Sequence, residues 1–201
     1  AACNDVGGER LVAMMREFSL QNLDELGAHI IDSSRAGMLA EVRALPFGVY
    51  KNAMRIDGYE KEVDLVCEMT ISESGIDLDF TGTSPASSYG INVPVTYTEA
   101  YATFGIRCII GNRVPNNAGS LEPVRISAPI GCILNAPRPS AVTARHVIGQ
   151  MLPDVVLGCL NQIIPDRVPA EGTSCLWTPV LMGGRVLTDE DYGDATPFAM
   201  N

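Results

Sequence analysis

The order of apolar and polar residues divides the chain into segments of different period. Over residues 2–18, Val6, Arg10, Leu11, Met14 and Phe18 recur at three- and four-residue spacing, which predicts a helix with one stripe. Residues 22–45 repeat that period. Leu23, Leu26 and Ile30 begin a stripe that Ile31, Met38, Val42 and Leu45 continue. Asn22 stands where an N-cap belongs, and Pro46 and Gly48 stop the helix. Two antiparallel helices packed on another layer are expected. The period then falls to two. Val63, Leu65, Cys67, Met69 and Ile71 alternate with Asp64, Val66, Glu68 and Thr70. After a turn at 72–75, Ile76, Leu78 and Phe80 alternate with Asp77, Asp79 and Thr81. This is the pattern of a β-hairpin with one apolar face.

Residues 81–85 and 92–94 break the pattern. Thr96 and Glu99 have capping-box form, and Tyr97, Tyr101, Phe104 and Cys108 space as a helix face that Gly111 and Asn112 end. Val124, Ile126 and Ala128 alternate with Arg125 and Ser127 as a short strand, and a loop follows through 139. Ile148, Leu152, Val155, Cys159 and Ile163 restore the helical period. Pro153 lies inside it, so either the helix kinks there or a short turn precedes a helix that begins at Pro153. Pro165 ends that helix. A last strand is expected near 178–181, paired with 185–187 across Gly183 and Gly184. Together these elements predict an α+β fold, an antiparallel hairpin or mixed sheet packed against several α-helices. One domain is expected over 1–201, helical over 1–46 and α+β over 47–201.

Composition narrows the function classes. The chain of 201 residues is 46% hydrophobic, enough for an ample core. Its net charge of −10 argues against a nucleic-acid surface. No apolar run approaches the roughly 20 residues that cross a bilayer, and no secretory signal opens the sequence. Cys3, Cys67, Cys108, Cys132, Cys159 and Cys175 form no CxxC and no close pair with metal spacing, so free, buried thiols in a reducing cytoplasm are expected.

Four places have the residue types for chemistry. Asn116, Asn117, Gly119 and Ser120 form a turn whose amides and N–H groups can hold a carbonyl or carboxylate, unless the Asn side chains bond their own backbone. Arg145 and His146 stand at a predicted helix start. There an anion is favoured and His146 can act as a general base or a ligand, unless the pair is a surface Arg and a packed His. Thr81, Gly82 and Thr83 can line a pocket beside the hairpin. Glu171, Gly172, Thr173 and Ser174 form a fourth, weaker group. Asp77 and Asp79 share one strand face as a carboxylate pair, which is more commonly a solvated face than a site. No GxSxG, Walker A, HExxH or GxGxxG run occurs.

Four blocks carry a further signal. They are PNNAGSLEPVRISAPIGCILNAPRPSAVTARHVIGQMLPDVVLGCL from Pro115, DFTGTSP from Asp79, INVPVTYTEAYATFGIRC from Ile91 and PDRVPAEGTSCLW from Pro165. In order and spacing they resemble the hydantoinase B/oxoprolinase family. The resemblance implies one subunit or half of an ATP-dependent cyclic-amide hydrolase acting on hydantoins or 5-oxoproline, or of a related acetone or acetophenone carboxylase. It implies a hydantoinase A-type partner subunit that carries ATP, a small-molecule substrate, an oligomer, and a divalent metal in the full complex. No cofactor is expected on this segment itself. Family members are longer and have an HHADIGG-like block upstream and an SGGTGARP-like run downstream. The chain is therefore expected to be an internal fragment, inactive alone. On it His146 and Arg145 are the expected catalytic residues, and Asn116, Asn117, Gly119, Ser120, Thr81 and Gly82 the expected substrate-binding residues, with no metal ligand. The alternative is a non-catalytic scaffold that docks the A-type subunit.

Overall fold

The computed structural model describes residues 2–172, 181–183 and 198–200. Helix α1 covers Ala2–Glu17 and α2 covers Asp24–Arg43. Asn22 Oδ1 accepts the Asp24 N–H at 3.0 Å, so the expected capping side chain holds the entry to α2. The two helices do not form the packed pair that their stripes predict. Only Ser34, Met38 and Val42, in the C-terminal half of α2, are buried. No residue of α1 is buried, and Val6, Leu11 and Val12 stand in the open with Phe18 just beyond the helix.

Strand β1, Gly48–Ile56, follows. The sequence pattern does not mark it, because its inward positions are Gly48, Tyr50, Asn52, Met54 and Ile56, an apolar series broken by a glycine and an amide. β2 (Val63–Ser72) and β3 (Gly75–Asp79) are the predicted hairpin, in register Met69 to Leu78 and Ile71 to Ile76. β1 adds antiparallel to β2. The chain then crosses through α3 (Val95–Ile109) and the single turn α4 (Ala118–Leu121) to β4, Val124–Ser127. β4 pairs parallel with β3, so the sheet is mixed, in order β1-β2-β3-β4. A parallel neighbour requires such a crossover, since a tight turn reverses direction.

The buried face carries Leu65, Cys67, Met69, Ile71, Ile76, Leu78 and Phe80. The open face carries charges matched across strands. Lys51 sits opposite Glu68, Arg55 opposite Asp64 and Asp77 opposite Arg125, each as an ion pair. Such exposed pairs are screened by water, add little to stability and mark this face as solvated.

α5 (His146–Gly149) and α6 (Leu152–Leu160) complete the main body. Pro153 lies in the first turn of α6, where its missing N–H is not needed, so the turn-then-helix arrangement holds and no kinked helix forms. α6 lays Leu152, Val155, Val156, Cys159 and Leu160 against the sheet. α3 packs on α6 through a different stripe from the expected one. Thr98, Ala102, Gly105 and Ile106 are buried, while Phe104 and Cys108 are exposed. The expected Thr96–Glu99 capping box is absent, because α3 starts earlier, with Pro94 at the N-cap and no side-chain cap bond. Small residues decide the approach. A Cβ on Gly105 would lie 3.0 Å from Pro153 Cα.

The loop after β4 also feeds the core. Cys132, Ile133 and Leu134 are buried there, and Ile133 exchanges backbone bonds with Ser84 and Val93. Of the thiols, Cys67, Cys132 and Cys159 are buried, whereas Cys3 and Cys108 are exposed. Cys175, Thr173, Ser174 and the expected pairing of 178–180 with 185–187 lie outside the described residues. Leu181–Gly183 is a strand, β5, and it pairs antiparallel with Phe198–Met200, β6. Among the described residues no helix is long and apolar enough to cross a membrane.

Candidate functional site

The predicted turn resolves into two different roles. Asn117 is extended and caps α4. Its Oδ1 accepts the N–H groups of Gly119 and Ser120 at 3.0 and 3.3 Å, and the Asn117 N–H donates to Ser120 Oγ at 3.1 Å. This is a reciprocal capping box. The Asn117 Nδ2 donates to Ser34 Oγ at 2.8 Å, tying the turn to α2. Gly119 permits the contact, because a Cβ there would lie 2.0 Å from the Ile31 carbonyl oxygen. Asn117, Gly119 and Ser120 thus dock α4 on α2. Asn116 points elsewhere. It is exposed and lines a cavity.

Arg145 and His146 open α5, which is a single turn, and both are exposed. The Arg145 guanidinium lies over the Tyr97 ring at 5.6 Å and donates to the Val142 carbonyl. Tyr97 in turn stacks on Tyr101 at 4.5 Å. Burial and the neighbouring Tyr101 hydroxyl push the Tyr97 phenol up to about 12, with Arg145 opposing. At the far end of the hairpin, Thr81 donates its N–H and its Oγ1 to Asp79 at 3.0 and 2.7 Å. Those bonds hold the Asp79 carboxyl below the usual carboxylate range. Gly82 turns the chain with φ +97°. Thr83 is buried and its hydroxyl meets both the N–H and the carbonyl of Val66, replacing the ladder where β3 has already ended. Asp77 is taken by Arg125 at 2.6 Å. The strand-face carboxylates are therefore committed to local partners. Among the described residues no group of three or more His, Cys, Asp or Glu side chains comes together to hold a metal.

A cavity of about 780 Å³ lies between α3 and β4. That volume is in the range of small-molecule sites. One stripe of α3 lines it, with Thr96, Glu99, Ala100, Thr103, Phe104 and Arg107 at helical spacing. Asn116, Leu121, Val124 and Ile126 close the other side. Arg107 organises the mouth. Its two terminal nitrogens donate to the carbonyls of Gly111 and Val114 at 2.6 Å each, fixing the loop that delivers Asn116. Its Nε is buried without an acceptor. No carboxylate pairs with it among the described residues. Arg107 and Glu99 line this cavity but are not among the expected site residues, although both fall in the block that begins at Ile91. The one signal for them is that they are polar residues of the α3 face that also carries Thr96 and Thr103.

A second crevice, about 450 Å³, separates β1 from α6 and contains Asn52, Asp154, Asn161 and Glu171. Burial and the nearby Glu171 charge raise the Asp154 carboxyl. Both cavities flank elements of the four-block sequence signature, but the expected residues do not converge on one point. Asn116 reaches the α3–β4 cavity. Arg145 and His146 lie on the surface beside Tyr97, and Thr81 and Gly82 lie at the end of β3.

Known proteins resemble this chain over most of its length. A family model described as hydantoinase B/oxoprolinase matches residues 1–198. A protein of Pseudomonas sp. (strain NS671), provisionally named as the B-type subunit of a D-/L-hydantoinase, is 29% identical over 180 residues, covering 82% of this chain and 30% of its own. The 5-oxoprolinase 1 of Arabidopsis thaliana is 35% identical over 96 residues, covering 42% of this chain and 8% of its own. Among solved structures, the ATP-dependent caprolactamase of Pseudomonas jessenii superposes with a TM-score of 0.72 at 20% identity, over 81% of this chain and 29% of that one. The nucleotide-free acetone carboxylase gives 0.65 at 17%, over 83% and 24%. At those identities the two structures speak for the fold alone. The chain spans less than a third of the length of the hydantoinase relative.

Proposed function

The chain belongs to the hydantoinase B/oxoprolinase family, and on that premise we propose that it forms part of the hydantoinase B-type subunit of an ATP-dependent cyclic-amide hydrolase. The observation that carries this is the match across residues 1–198, with a hydantoinase subunit and 5-oxoprolinases among the relatives. The α3–β4 cavity is one wall of the substrate site. An amide carbonyl loses electrophilicity to its nitrogen lone pair, and ATP on a hydantoinase A-type subunit activates it. The segment's own part is to hold and orient. Asn116 presents an amide with no internal partner among the described residues, and Arg107 keeps the loop beneath it in place. Arg145 and His146 act from the surface beside Tyr97, where a further part of the complex meets them. The described residues do not assemble a divalent-metal site, so no step is assigned to one here.

The experiment is a substrate panel on the full-length B-type subunit with its A-type partner, with and without ATP. Hydantoins, 5-oxoproline, and ketones with bicarbonate are assayed side by side. ATP-dependent ring opening is expected, and alanine at His146 lowers it by about a hundredfold or more if His146 transfers a proton. Ketone carboxylation without ring opening would replace this reading with the carboxylase one. The isolated chain is expected to be inactive, and turnover near full-length rates would overturn that.

A second reading has two observations in its favour. α1 buries nothing, and Asn117, Gly119 and Ser120 are committed to packing. In that reading the segment is a scaffold that docks the A-type subunit, and His146→Ala leaves turnover unchanged.

A further inference from the structure

We propose that Tyr97 is a positioning residue for Arg145 and His146, its ring bracing both ends of the one-turn helix that carries them. The inference deepens the amide-hydrolase reading and rests on it for the link to turnover. The brace itself is testable without activity.

α5 has four residues, His146–Gly149. A single turn fixes several backbone dihedrals for very few hydrogen bonds, so it does not persist without contacts from outside. Ile148, 1% exposed, supplies one by entering the core. One anchor does not set the rotation of the turn. The Tyr97 ring supplies the rest. Arg145 and Gly149 are four residues apart and thus neighbours on one side of the turn, and the Gly149 N–H donates to the Arg145 carbonyl at 2.9 Å. Both meet the same ring. The Arg145 Cζ lies 5.6 Å from its centroid, within reach of a cation–π contact. At the other end, a Cβ on Gly149 would stand 2.2 Å from Tyr97 Cε1, so only glycine admits the ring there. His146 follows Arg145 directly and lies in the chain between the two contacts.

The ring is itself held. It stacks on Tyr101 at 4.5 Å with 8° between the planes, and both residues belong to α3, which Ala102 and Ile106 fix in the core. The Arg145 guanidinium also donates to the Val142 carbonyl at 3.2 Å. No carboxylate pairs with it among the described residues. A carboxylate would fix this cation and cancel its charge. A ring and a neutral carbonyl fix it and leave the charge in place, which is what electrostatic assistance to a polarised carbonyl requires.

The first measurement is made on this chain and begins with the wild type. The Arg145 Nε–H resonance is expected to be displaced by the Tyr97 ring current relative to that of the exposed Arg138. The displacement is expected to persist in Tyr97→Phe, which keeps the ring, and to vanish in Tyr97→Leu. Hydrogen exchange at the Gly149 and Gln150 amides, which close the turn, is expected to quicken about fivefold in Tyr97→Leu. The second measurement is turnover by the full-length B-type subunit with its A-type partner. Tyr97→Phe is expected to stay within about twofold of wild type, and Tyr97→Leu to lose about fivefold in the same parameter, kcat or KM, that Arg145→Ala changes. The double variant is expected to be no worse than Arg145→Ala alone, whereas a general loss of stability would add to it. An Arg145 resonance matching Arg138 in the wild-type chain overturns the proposal. So do additive losses, or an impaired Arg145→Ala beside an unimpaired Tyr97→Leu. If the wild-type complex opens no ring, the hydrolase reading falls, and the Arg145 resonance still decides whether Tyr97 holds the turn.

Discussion

Asn116 and Asn117 are adjacent and identical in type, yet they do unrelated work. Asn117 supplies an acceptor to two N–H groups of α4 and a donor to Ser34. Asn116 is exposed at the cavity. Asn117→Ala is expected to destabilise the chain by about 1–2 kcal/mol, through the lost cap and the Ser34 hydroxyl left without a partner. Asn116→Ala is expected to change stability by less than about 0.5 kcal/mol, the usual range for a surface position. Urea denaturation of both variants checks the contrast. Glu60 gives a prediction of a different kind. Its carboxylate accepts from both hydroxyls of Ser87 and Ser88 and from the Ser88 N–H, and these bonds hold it below the usual carboxylate range. A carboxylate depressed in the folded state adds stability above its unfolded range, and that stability is lost as pH falls through the folded value. The urea midpoint of the wild type is therefore expected to exceed that of Glu60→Gln at neutral pH, and the gap to close on acidification toward the carboxylate range. A gap independent of pH would count against the assignment.

At the scale of elements, close approach is set by glycine and by what lies opposite. α6 comes so near β1 that a Cβ on Gly158 would meet the Asn52 amide nitrogen at 2.0 Å. That amide donates to the Val155 carbonyl at 2.9 Å. Gly158→Ala is expected to cost about 1–3 kcal/mol despite the better helix propensity of alanine, because the Asn52 side chain must give way and lose its bond to the Val155 carbonyl. Truncating the obstacle, in Asn52→Ala, is expected to recover most of that cost in the double variant. A double-mutant cycle by thermal denaturation reads the coupling directly. The hairpin, its register and the solvated face are legible in the period-two run from Val63 to Phe80. β1 is not, because a strand whose inner face includes Gly48 and Asn52 has no clean alternation. The inward face of α3 is not legible either. Tyr97, Tyr101, Phe104 and Cys108 form an apolar stripe, but Thr98, Ala102, Gly105 and Ile106 turn inward, and at Gly105 Pro153 of α6 leaves no room for a side chain.

At the scale of the whole molecule, one buried cluster joins α2, the sheet, α3, α6 and the loop that carries Ile133 and Leu134. α1 and the first half of α2 add no residue to it, and Val6, Leu11, Leu26 and Ile30 there are exposed. The sequence alone determined the α+β class, the helix boundaries near residues 17 and 43, the hairpin and the family, because these depend on local period, turn residues and the linear order of motifs. It also brought Asn116 to notice. Tertiary structure decided what each candidate does. Gly119 and Ser120 became packing residues because α2 lies against them, and the strand-face carboxylates found Arg125 and Thr81. The cavity itself exists only because α3 and β4, joined by a crossover, face each other across a gap. Its opposed charges, Glu99 and Arg107, share a helix stripe that in sequence looks like any solvated face. Periodicity reports which side of a helix is wet; only the neighbouring element tells whether that side is a surface or a site.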